Sequence, residues 1–283
     1  MFKIITDSAS DITLAEAQDM NIHIVPINIE FADGPCPQHT TEDFELFYDK
    51  LRVCEELPTT SQPSPDEYLK LFEEAKENGE DVLVLTLSSG LSGIVSAVNI
   101  AINLAEYDRI YVLDTQQAIA GQRIMTEYAV ELRDKGLDIH TVITELEQLR
   151  NKITVNGMLD TLTYLRKGGR IPPSLAAVGN ALRIKPLILL EDKILKNMGK
   201  AMGREAGKKL LFKRFEQYIP DERFPLCFLY SSNRELGQQF MEETVKQFSL
   251  ESYNIKLVPV GGVIGTHIGT DGIGFAYVMK ETE

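Results

Sequence analysis

Cysteine is scarce in this 283-residue chain. Cys36, Cys54 and Cys227 are the only three, far apart and without CxxC or Cys/His spacing. This excludes a zinc-ribbon reading, and an odd, scattered set builds no disulfide framework. A reducing, cytoplasmic setting is the expectation. Long hydrophobic runs are also lacking: no apolar stretch reaches the roughly 20 residues of a membrane span. The first residues run straight into a strand-like FKIIT, so no signal peptide is expected. Positive charge is short, with 29 basic against 42 acidic residues and a net charge of −13, which weighs against nucleic acid as a partner. Signatures of nucleotide and metal chemistry are missing as well. There is no Walker loop, no GxGxxG behind a strand, no HExxH, and no GxSxG around Ser92.

At 43% hydrophobic the chain can still bury a large core, as one large domain or two medium ones. Its charge is split unevenly. Residues 1–150 hold 10 basic and 28 acidic side chains, net −18, whereas 151–283 hold 19 and 14, net +5. Such asymmetry predicts two domains, 1–150 and 151–283.

The stretch 81–105, DVLVLTLSSGLSGIVSAVNIAINLA, is the strongest local pattern. A short apolar β-type run, 82–87, leads through Ser88, Ser89, Gly90, Ser92 and Gly93 into residues with helical spacing. A strand, a small polar turn and a helix place backbone N–H groups and hydroxyls at a helix N-terminus, which suits a carboxylate or phosphate. The plainer alternative is that a serine there only caps the helix. Thr6, Asp7 and Ser8 end another predicted strand, where open α/β sheets gather ligands; ordinary turn chemistry is the competitor. In PTTSQPSP, three prolines hold Thr60 and Ser61 on a stiff loop, a binding wall or a linker.

Strands and helices alternate with short connections through the first half, which predicts an α/β fold with a parallel sheet. Expected helices include 14–20 capped by Thr13, one capped by Thr41, one from Ser64-Pro65, and 116–135. The second half reads as strands at 153–159, 184–190 and 193–196, a helix from 172 to 183, a helix at 203–218, and further strands and a helix to 279. GTHIGTDG reads as a glycine-rich loop with Thr266 and His267 at its centre, where Gly265 and its neighbours allow close backbone approach. His267 could donate to a carboxylate in either charge state. Lys167-Gly168-Gly169-Arg170 offers a basic arm at a helix end. Residues 193–214 hold eight basic side chains and one acidic, either a solvated face or a surface that docks to an anionic membrane or a partner groove. A Ser92–His267–Asp7 hydrolase is an alternative that needs an acid behind the imidazole.

The ordered set TDSASDI, TTSQPSPDEY, LSSGLSG, LDTQQAIAG, LTYLRKGGRI, ALRIKPLI and GTHIGTDGIG resembles the DegV family, and within it the fatty-acid-binding subunits of bacterial fatty acid kinase. The resemblance spans nearly the whole chain. It implies a two-domain α/β fold, an N-terminal parallel-sheet domain and a C-terminal α/β domain, with a long-chain fatty acid between them and no other cofactor or metal. It implies that Thr60, Ser92 and His267, with Ser61 and Thr266 beside them, hold the carboxylate. Thr6, Asp7, Ser8, Ser89, Gly93 and Gly265 are further pocket candidates. Arg170 is implied in the surface facing a separate kinase subunit, which would phosphorylate the carboxyl group for phospholipid synthesis. On this reading the chain is a carrier and not an enzyme; a lipid-sensing regulatory module is the other reading. The sequence departs from the family pattern at Ile119-Ala120, at Gly93-Ile94-Val95 and at Thr270-Asp271, positions that bear on lipid preference.

Overall fold

The computed structural model describes residues 2–171 and 183–280. β1 (Lys3–Asp7) runs into a single 3-10 turn, and a reciprocal Thr13–Glu16 capping box starts α1 (Leu14–Asp19). β2 (His23–Val25), β3 (Asn28–Phe31) and β4 (Gly34–Pro35) follow. Thr40, not Thr41, caps α2 (Thr41–Val53), because the carboxylate that completes the box is Asp43, three residues on. Then come β5 (Thr59–Ser61), α3 (Pro65–Asn78), β6 (Val82–Thr86), α4 (Ile94–Ala105) and β7 (Ile110–Asp114). α5 (Ile119–Asp134) starts later than its apolar spacing suggests. Gln116 and Ile119 both have positive φ, and Thr115 Oγ1 accepts from the Gln117 amide, so 115–118 form a turn. α6 is Ile139–Arg150.

The second half comprises β8 (Ile153–Met158), α7 (Thr163–Lys167), β9 (Ile184–Glu191) and β10 (Ile194–Met202). It continues through α8 (Arg204–Gln217), β11 (Leu226–Tyr230), α9 (Arg234–Phe248), β12 (Ile255–Pro259), α10 (Gly262–Ile268) and β13 (Ile273–Val278). The helix expected from 172 falls outside the described residues. The strand expected at 193–196 is nine residues long and pairs with β9 from Ile194 to Met202, with a register shift between Asn197 and Gly199.

β1, β2, β6 and β7 form a parallel sheet in the order β2-β1-β6-β7, and β6 is buried throughout, as a central strand covered on both faces must be. β4-β3-β5 is a small antiparallel sheet. The third sheet, β10-β9-β8-β13-β11-β12, is antiparallel except for β11–β12. Each described sheet draws its strands from one side of position 150. α5 lies between them: it packs on β1 and β6 and also on β8 and β13. Two-sided contact explains why it buries polar as well as apolar positions. Buried Gln122 donates to Thr6 Oγ1 at 3.0 Å. Residues from both large sheets join one core cluster around it. Among the described residues no helix is long and apolar enough to cross a membrane.

Candidate functional site

The glycine-rich GTHIG stretch is a helix rather than a loop. Gln38 Oε1, from the first half of the chain, accepts from the Gly262 amide at the start of α10, and Tyr48 OH donates to the Val260 carbonyl just before it. A Cβ on Gly262 or Gly265 would come within 2.7–2.8 Å of Phe47 and Tyr48 atoms. These glycines allow α10 to pack against α2, which turns His267 inward. Gly269, with φ +76, ends the helix.

His267 Nε2 lies 3.0 Å from Thr60 Oγ1 on β5, a contact between residues 207 apart in the chain. Burial holds the imidazole well below its usual range, at about 4, and the nearby positive charge of Arg170 acts in the same direction. It is therefore neutral at pH 7. Nδ1 is buried without a hydrogen-bond partner, against Gly168. A proton on Nε2 then gives the ring its donor on the Thr60 side, facing the cavity.

That cavity measures about 390 Å³. Its polar lining at this end is Thr60, Ser61, Gln62, Ser92, Arg170 and His267. Apolar side chains such as Leu87, Ile119, Ile188, Leu229 and Val263 make up most of the rest, drawn from both halves of the chain, and Asn156, Tyr230 and Ser231 also reach the lining. Ser92 is not the cap of α4. The capping position is Gly93, and the cap makes no side-chain hydrogen bond. The first amides of a 12-residue, charge-free helix thus open beside Ser92. Arg170 spans the junction, with Nε donating to the Leu91 carbonyl at 3.2 Å and Nη1 to Gly168 at 2.6 Å.

Several expected site residues lie elsewhere. Thr6 donates to the Leu85 carbonyl, buried Asp7 accepts from the amides of Leu87 and Ala9, and Ser8 accepts from the Ile27 amide. These groups join β1 to its neighbours and do not line the cavity. Burial raises the Asp7 carboxyl to about 6 despite those amides. Ser89 donates to Asp114 at 2.6 Å on the surface. Thr266 donates to the Gly262 carbonyl inside α10, and Gly265 faces α2. Asn156, Tyr230, Ser231 and Gln62 are lining residues with polar groups not expected from the sequence, and of these Gln62 lies next to Thr60 and Ser61 in the chain. Its Oε1 would be 2.4 Å from a Cβ on Gly93, so it lies directly over the start of α4.

The hydrolase geometry is not formed. Among the described residues no carboxylate hydrogen-bonds His267, and Asp7 is engaged with the amides of Leu87 and Ala9. A fluorophosphonate probe is accordingly expected to leave Ser92 unlabelled, as intact-mass spectrometry would show; stoichiometric labelling would restore the hydrolase reading. Among the described residues no cluster of three His, Cys, Asp or Glu could hold a metal.

The basic stretch 193–214 is not the continuous cationic face that composition suggests. Lys193 pairs with Asp114, Lys196 with Glu191 and Asp192, Arg204 with Asp160, and Lys208 with Glu205 and Glu243. Arg214 stacks over Tyr218. Lys200, Lys209 and Lys213 stay exposed.

Residues 1–280 match the model of a family described as uncharacterised proteins of the DegV family. A DegV domain-containing protein of Clostridium perfringens is 32% identical over 295 aligned residues, covering 99% of each chain. Among solved structures, a DegV lipid-binding protein from Thermotoga maritima superposes with a TM-score of 0.85 at 28% identity, covering 100% of both chains. A DegV family protein from Thermus thermophilus, described by its fatty acid binding, gives 0.85 at 29% identity, covering 98% of this chain and 99% of the other.

Proposed function

The chain belongs to the DegV family, and from that premise we propose that it binds one long-chain fatty acid in the cavity and presents the carboxylate to a separate kinase subunit. The observation that carries this reading is the convergence of Thr60 and His267, 3.0 Å apart, in the polar part of a mostly apolar cavity. Fatty acid binding by the Thermus thermophilus relative supports it.

Size and polarity agree with such a ligand. An apolar cavity of about 150 Å³ accepts benzene, so by simple scaling about 390 Å³ accommodates roughly sixteen carbons. Each buried CH₂ contributes about 0.8 kcal/mol, so the tail supplies on the order of 10 kcal/mol before ordering costs. Each hydrogen bond donated to the ionised carboxylate adds about 1.5–3 kcal/mol. The tail is therefore the largest single contribution to affinity. Thr60, Ser92 and a neutral His267 set orientation, with Ser61 and Gln62 completing the polar end. Residues 1–150 and 151–283 act on this reading as two units closing on the ligand, and Arg170 is the arm nearest the incoming kinase. The three exposed lysines 200, 209 and 213 give any contact with an anionic bilayer its charge.

Protein purified from cells is expected to carry close to one equivalent of long-chain fatty acid, measurable by solvent extraction and mass spectrometry. Delipidated protein should take it up again. With a fatty acid kinase catalytic subunit and ATP, the loaded protein should yield acyl phosphate, trapped as the hydroxamate. Protein that neither carries nor takes up fatty acid would end the proposal; uptake without acyl phosphate would end its kinase half.

A further inference from the structure

The floor of the cavity contains a glycine that the backbone does not require. Gly157 sits in the interior of β8, between Ile188 of β9 and Gly274 of β13 in register. The two glycines differ. A Cβ on Gly274 would lie 2.2 Å from the Asn156 carbonyl oxygen, so no other residue fits there. A Cβ on Gly157 would meet only the Ile273 carbonyl oxygen, at an ordinary 3.6 Å. Nor is Gly157 among the residues with positive φ. It is nevertheless the one residue of β8 that is not buried, in the middle of a six-stranded sheet, and it lines the cavity. Glycine inside a strand is unfavourable unless something approaches the backbone closely.

We infer that Gly157 is a specificity-determining residue: its missing side chain is the space that sets how long an acyl chain the cavity admits. This rests on the fatty-acid reading above and assigns chain-length selection to one position within it. Any side chain at 157 projects into the cavity and displaces methylenes. Alanine adds one carbon and valine adds three. For a ligand that fills the cavity, the loss is roughly fourfold with alanine and roughly fifty-fold with valine. A shorter acid, which leaves space unfilled, is spared.

The experiment titrates delipidated wild-type protein, Gly157→Ala and Gly157→Val with dodecanoic, palmitic and stearic acids. Valine should cut palmitic and stearic acid affinity about fifty-fold while changing dodecanoic acid affinity by no more than about twofold, with alanine between. Thermal unfolding of Gly157→Ala at or above the wild-type midpoint is expected, since its methyl makes only ordinary contact. Equal losses at all three lengths, or unchanged stearic acid binding in Gly157→Val, would overturn the assignment to this residue. Wild-type protein that binds none of the acids would instead overturn the reading of the cavity.

Discussion

Asp11→Asn should remove a pH dependence of stability that the wild-type protein shows between pH 6 and 8. Asp11 ends the 3-10 turn after β1 with φ 54, and it is 2% exposed. Its carboxyl group faces Gly261 at the start of α10, and neither oxygen has a fully formed hydrogen bond. Burial raises it to about 8, offset only in part by the Gly261 amide and by Arg123. Arg123 is itself engaged with Glu16 and Glu127 and touches the Asp11 carbonyl. An unfolded Asp titrates near 3.9. The folded chain thus holds a proton that the unfolded chain has lost, from about pH 4 up to pH 8. This contribution is complete below the unfolded value and disappears as pH rises through the folded one. Across pH 6 to 8 the loss is about 2 kcal/mol. Asparagine keeps the shape, tolerates the left-handed backbone, and has no proton to lose. Asp7 and His267 titrate alike in both proteins, so their effects cancel in the difference. Thermal unfolding of delipidated proteins should show the variant gaining several degrees on wild type between pH 6 and 8. A gap that does not change with pH would mean that Asp11 is ionised when folded.

Much of this architecture was visible in the sequence, because it rests on local signals. The serine turn and the Thr13 and Ser64 helix starts each need only a few neighbouring residues, whereas TTSQP, which reads as a stiff loop, forms the strand β5 because Thr59–Ser61 pair with β3. What the sequence could not reveal depends on distant partners. Thr60 meets His267 across 207 positions. The four glycines between Gly261 and Gly269 suggested a ligand loop. Gly262 and Gly265 instead fit a helix against Phe47 and Tyr48, while Gly261 lies against Asp11 and Phe44 and Gly269 against Tyr164, all residues from elsewhere in the chain. The basic stretch seemed free because Asp114, Asp160 and Glu243, its partners, lie outside it. Thr6, Asp7 and Ser8 stand at a strand end where ligands often gather, but neighbouring backbone groups claim them first. Gln62 lies inside a motif that was noticed, yet its importance appears only when Gly93 is seen beneath it.

His267→Ala should separate head-group recognition from tail burial more sharply than any other substitution. A hydrogen bond to an ionised group contributes about 1.5–3 kcal/mol, so losing the imidazole should weaken fatty acid binding roughly ten- to 150-fold. The tail's larger contribution keeps the remaining affinity measurable. The loss should be the same at every chain length, whereas a side chain at 157 penalises only long chains. Comparing each acid with the alcohol of equal length isolates the effect, because the alcohol presents no carboxylate. Wild type should prefer the acid, and His267→Ala should lose most of that preference while binding the alcohol nearly as before. His267→Gln retains a donor and should recover part of it. Thr60→Val has nearly the same shape and lacks only the hydroxyl. It should cost about 1.5–3 kcal/mol in binding, as for any bond to the ionised group, and proportionally more in acyl phosphate formation, since a carboxylate held by fewer groups points at the kinase less often. An acid-over-alcohol preference unchanged by both His267→Ala and Thr60→Val would place the carboxylate somewhere other than this end of the cavity.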